Sequence, residues 1–216
     1  MVNETIDQDS GLMRETRFSK AMGSGEAVVD LAFRTARAEA PEAELVYNDF
    51  MSWEPDGEKH RAGVLRLLEG FRKRGVPVDT LGLQGHVSVP EDASPAAIAG
   101  RERIWRGFLE AATGMGYKLI ISEFDVNDRY LPAAIPARDA AVAAFARRFL
   151  DISLSFTQLH TLMLWGMVDR YSWLQENTPR TDKLPKRPCP YDADYRAKPL
   201  RAAIAASLAA APVRRS

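Results

Sequence analysis

Lys118-Leu119-Ile120-Ile121-Ser122-Glu123-Phe124-Asp125-Val126 is an apolar run that closes on two acids. Side chains alternate along a strand, so Glu123 and Asp125 share one face while Ser122 and Phe124 take the other. A half-buried carboxylate is costly unless it is paired or employed, so two acids at the tip of an apolar strand point to a functional site. Thr80-Leu81-Gly82-Leu83-Gln84-Gly85-His86 repeats the pattern, ending in Gln84 and His86, again two residues apart. Two successive strands thus deliver Gln, His, Glu and Asp to one end of a sheet.

Outward from these strands the chain alternates. Helical periodicity covers residues 25–40, 60–74, 95–115, 138–153 and 198–210, with Pro41 and Gly75 as stops for the first two. Apolar strands are expected at 44–50, 81–86, 118–126 and 159–165. Connections of this length are crossovers, not hairpins, so the strands are parallel and the class is α/β. Residues 175–197, which contain Pro179, Pro185, Pro188 and Pro190, read as an irregular excursion after the last strand. Polar clusters in parallel α/β folds gather at the carboxyl ends of strands. Asn48 with Asp49, Gln84 with His86, Glu123 with Asp125, and Trp165 with Asp169 and Arg170 all obey that rule.

The 216 residues suit one domain. Twenty-nine basic residues balance 29 acidic ones, which gives no global attraction to nucleic acid or anionic membrane. No apolar stretch is long enough to span a bilayer, and the first residues carry no leader pattern. The single cysteine, Cys189, has no internal disulfide partner and no metal-ligand neighbours. His60, His86 and His160 are too scattered for a zinc site, and His60 and His160 read as structural. Neither GxGxxG nor a Walker-type loop is present, so a phosphate-binding module has no motif to rest on.

Read in order, VNETI (2–6), LVYNDF (45–50), DTLGLQGH (79–86), LIISEFDV (119–126) and MLWGMVDRYSWL (163–174) resemble the second half of glycoside hydrolase family 10, the endo-1,4-β-xylanases. PYDADYRAKPL (190–200) extends the resemblance to the last barrel helix. Its implied chemistry is retaining hydrolysis, in which one carboxyl group acts as nucleophile and a second as acid and then base. Glu123 matches the nucleophile and Glu4 the acid/base. Asn3 matches the residue that binds the sugar 2-hydroxyl, His86 a histidine that contacts the nucleophile, and Asp125 the acid that orients that histidine. Gln84 matches a residue that positions the acid/base and tunes its proton affinity.

Trp165 and Trp173 resemble the aromatic floor on which a pyranose ring stacks, with Asn48, Phe50 and Arg170 as further substrate-binding positions. Taken without the motif, both tryptophans would read as core packing. Phe50 departs from the family, which often has tyrosine there; a stacking face remains and a hydroxyl is lost. The stretch Met51 to Lys59 is also less familiar.

The resemblance implies the C-terminal half to five-eighths of a (β/α)8 barrel, whose usual length is about 250 residues. Strands one to three are expected to be missing, with the catalytic domain spanning 1–212 and a tail at 213–216. It also implies a xylan or xylo-oligosaccharide substrate, no cofactor or metal, and export. Exposed strand edges imply self-association. The alternative is a catalytically inactive remnant that holds xylan through Trp165, Trp173 and Tyr171.

Overall fold

The structure, a computed structural model, describes residues 2–214; Met1 and residues 215 and 216 of the expected tail lie outside them. Among the described residues the order is β1 (Val2–Asn3), α1 (Arg17–Ala21), α2 (Gly25–Glu39), β2 (Val46–Asp49), α3 (Glu58–Arg74), β3 (Thr80–Leu83), β4 (His86–Ser88), α4 (Pro95–Gly114), β5 (Lys118–Asn127), α5 (Ile135–Leu154), β6 (Leu159–Leu164) and α6 (Pro199–Ala210). Every strand pair is parallel, and the sheet runs β1, β2, β3, β5, β6, with β4 on β5 beyond β3. The result is an open arc of strands wound by helices, as the α/β reading requires.

The helix boundaries follow from their ends. Ser24 and Ser94 cap α2 and α4 by accepting from Ala27 N and Ala97 N, and Pro95 opens α4 where no N–H is needed. Gly75 closes α3 in the left-handed conformation, φ +62°. The short α1 has no sequence periodicity to announce it, yet Thr16 and Ser19 form a capping box at its start. Behind the sheet, Trp53 packs edge-on to Phe145 and Phe149, Phe149 stacks on Phe124, and Trp105 donates to Ser153 Oγ at 2.8 Å. Each buried Phe contributes about 1.5–3 kcal/mol.

Two strands depart from the sequence reading. The strand expected at 81–86 is broken: β3 pairs with the first half of β5 (Thr80 with Lys118) and β4 with the second half (His86 with Asp125). Gly85, at φ +82°, makes the break, because a side chain there would be both strained and pressed onto Ile121. In β5, strict alternation also fails. A register shift between Ile121 and Phe124 bulges the strand, so adjacent Ser122 and Glu123 both reach Asn48 instead of facing opposite ways.

The excursion after β6 is tied down by buried charge. Lys198 Nζ donates to both Asp169 oxygens, at 2.9 and 3.0 Å, and to Arg187 O at 2.7 Å. Burial outweighs their attraction, raising the Asp169 pKa and lowering that of Lys198.

Candidate active site

β1 and β2 lie in register with Asn3 beside Asn48, and this places the first acid. Glu4 N–H donates to Asn48 O (2.9 Å), and Arg14 Nε donates to Glu4 O (3.0 Å). Between these anchors Glu4 adopts φ +53°, a left-handed conformation uncommon for a side-chain-bearing residue. Its carboxylate accepts from Gln84 Nε2 at 2.8 Å.

The second acid is held by a longer chain of bonds. Asn48 Nδ2 donates to Glu123 Oε1 (2.9 Å) and to Asn3 Oδ1 (2.8 Å), while Ser122 Oγ donates to Asn48 Oδ1 (2.6 Å). Ser122 therefore sets which way the Asn48 amide faces. His86 joins the two acids of β5, with Nε2 3.3 Å from Glu123 Oε2 and Nδ1 2.9 Å from Asp125 Oδ1. Trp173 Nε1 donates to the other Asp125 oxygen at 2.7 Å. Burial disfavours a charged imidazole here, but the hydrogen bond to Asp125 and the charges of Asp125 and Glu123 outweigh it, so the His86 pKa is raised.

Glu4, Phe50, Ser52, Gln84, His86, Glu123, Trp165 and Trp173 line one cleft of about 480 Å³. Trp165 and Trp173 are 49% and 39% exposed, and both rings flank His86, with centroids 6.3 and 4.9 Å away. Half-exposed indoles over an imidazole leave faces free for a ligand, unlike the fully buried Trp53 and Trp105.

Most of the residues singled out from sequence converge here, and two do not line the cleft as expected. Asn48 is only 1% exposed, so it grips Glu123 and Asn3 instead of facing a ligand. Arg170 lies outside the cleft, lining a separate hollow of about 470 Å³ with Leu184, Pro185 and Arg187, because the turn at Asp169–Tyr171 carries it toward Asp194, Tyr171 and Tyr195. His60 is buried and bonded to Asp49 (3.1 Å), and His160 sits beside Glu44 (2.9 Å). Ser52 in the lining and Ser122 behind it were not singled out from the sequence; their places come from the irregular segment after Phe50 and the bulge in β5.

Parallel strands whose carboxyl ends present two glutamates and an indole floor define a βα-barrel protein with a two-carboxylate cleft. The chain matches the model of glycosyl hydrolase family 10 over residues 1–207, and it belongs to that family. It is 30% identical over 215 residues to endo-1,4-beta-xylanase 5 of Pyricularia oryzae, a match covering 98% of this chain and 48% of that protein. It is 29% identical over 206 residues to endo-1,4-beta-xylanase A of Thermotoga neapolitana, covering 92% of this chain and 18% of that protein. The crystal structure of xylanase 10B from Thermotoga petrophila in complex with xylobiose superposes with a TM-score of 0.79 at 27% identity, covering 96% of this chain and 58% of that one. The chain spans about half the length of the Pyricularia oryzae relative, and its open arc is part of a (β/α)8 barrel.

Proposed function

We propose that the chain carries the catalytic pair of a retaining endo-1,4-β-xylanase. Glu123 attacks the anomeric carbon as Glu4 gives its proton to the departing oxygen; water, deprotonated by Glu4, then releases the sugar from Glu123. His86 and Asn48 orient Glu123, Asp125 and Trp173 orient His86, and Gln84 and Asn3 set the Glu4 tip. Trp165, Trp173 and Phe50 offer stacking faces to the xylose units on either side of the bond. The double displacement draws on the two carboxyl groups and water, without a metal or organic cofactor.

The observation that carries this reading is that Glu4 and Glu123 line the same cleft while each is gripped by its own amide, Gln84 for one and Asn48 for the other. The names of the relatives and the xylobiose in the Thermotoga petrophila neighbour support xylan or xylo-oligosaccharides as the substrate. Residues 1–212 act as one unit in this reading, and the β1 and β6 edges are the surfaces through which copies associate.

Reducing-sugar release from xylan by the purified chain, with Glu123→Gln and Glu4→Gln beside it, tests the proposal. Turnover lost in both variants is the expected result. Retention of xylan on an affinity gel without turnover, in a folded sample, would instead make the cleft a binding site.

A further inference from the structure

Asp49 is a fully buried carboxylate at the tip of β2, and the roles above leave it without a task. Among the described residues no lysine or arginine pairs with it; His60 Nε2 (3.1 Å), Phe50 N (2.8 Å) and Tyr47 OH (2.5 Å) do. A fully buried acid with no lysine or arginine beside it is costly, so its persistence calls for a return elsewhere in the fold.

The return is legible in its partners. Burial, followed by the adjacent Asp49 charge, raises the Tyr47 pKa well above that of an ordinary phenol, so Tyr47 stays protonated and its one hydrogen goes to Asp49. The 2.9 Å bond between Tyr47 OH and Thr5 Oγ1 must then run from Thr5 to Tyr47. That fixes the residue directly after Glu4. Asp49 O also accepts Gln84 N–H (3.0 Å), and Gln84 is the side chain that grips the Glu4 carboxylate. On its other side, Asp49 holds the Phe50 backbone and the His60 ring, which packs against Phe50 with centroids 4.5 Å apart.

Glu4 sits at φ +53°, and such a conformation persists only where its neighbours over-determine it. We propose that Asp49, acting through Tyr47 and Thr5, is a positioning residue that keeps Glu4 in its left-handed conformation, and that the same carboxylate sets Phe50 in the wall of the cleft. This rests on the assignment of Glu4 as the acid/base. Slackening the link displaces the proton donor while Glu123, held by Asn48 and His86, stays in place.

Two variants cut the link from opposite ends. Tyr47→Phe removes the shared hydroxyl, and Thr5→Val leaves the Tyr47–Asp49 bond intact in case the first variant folds poorly. Each is expected to lower kcat/KM about tenfold on xylo-oligosaccharides, whose sugar leaving group needs a proton. A dinitrophenyl xylobioside, whose leaving group needs none, should form the glycosyl-enzyme at close to the parent rate. The double variant should lose no more than Tyr47→Phe alone, since the bond that Thr5→Val breaks is already gone once the Tyr47 hydroxyl is removed. The second readout is independent of turnover: the carbon-13 carboxyl resonance of Glu4, assigned with Glu4→Gln, should shift in both variants.

Equal losses on both substrates, additive losses in the double variant, or an unmoved Glu4 resonance in folded protein would overturn the proposal. If the resonance shifts while the parent chain cleaves neither substrate, the positioning role stands and the xylanase reading falls.

Discussion

His86 is poised between two acids, and its protonation is written into stability. Its folded-state pKa is raised above the ordinary 6.5, so the imidazolium stabilises the fold fully below the unfolded value, and that contribution is lost as pH climbs through the raised one. Urea unfolding of the parent and of His86→Asn should therefore differ most on the acid side of pH 6.5 and converge in alkali. A gap that widens with pH would show that His86 is buried as the neutral ring. Asp125 offers a second check, because it accepts from Trp173 and faces His86. Asp125→Ala should free the indole, seen as a shift in tryptophan emission, and lower turnover about a hundredfold through the misplaced histidine. At this scale the sequence named Glu4, Glu123, Gln84, His86, Asp125 and the cleft tryptophans, because spacing and motif are local. It mistook Asn48 for a ligand-facing residue, since burial depends on what the neighbouring strands cover.

At the scale of elements, the strand tips work because of two irregularities. The break at Gly85 lets Gln84 turn to Glu4, just past β1, while His86 turns to Glu123 and Asp125 on β5. The bulge at Ser122 and Glu123 brings both onto Asn48. Gly82, beside Asn48 in register, leaves space for that side chain, and a Cβ there would overlap Asn48 Oδ1. Gly82→Ala should cost about 1–3 kcal/mol in chemical denaturation. It should also slow turnover more than that loss of stability explains, because Asn48 releases Glu123 when displaced; unchanged turnover in a folded variant would mean Asn48 does not orient Glu123. Ideal alternation on each strand put the right residues on one end of the sheet. Gly85 was a local sign of the break after β3, but the bulge in β5, a compromise with the strands on either side, leaves no such mark in Ser122 or Glu123.

For the molecule as a whole, the excursion from β6 to α6 depends on Lys198, which joins Asp169 to the backbone of Arg187. Removing one partner of a buried pair leaves the other uncompensated, so Lys198→Ala should destabilise the chain by about 3–5 kcal/mol in urea unfolding. A loss under about 1 kcal/mol would mean that water reaches Asp169 and the strap is dispensable. The two edges of the arc, β1 and β6, pair on one side only among the described residues, and light scattering should register a mass that rises with concentration. Periodicity and strand-end polarity sufficed for the α/β class and the parallel order, since these follow from alternation along the chain; the choice of Glu4 beside Glu123 as the candidate pair rested instead on short phrases that resemble the family. Three-dimensional packing settled the left-handed tip at Glu4, the exclusion of Arg170 from the cleft and the buried Asp49 hub, since each depends on contacts between residues tens of positions apart in the chain.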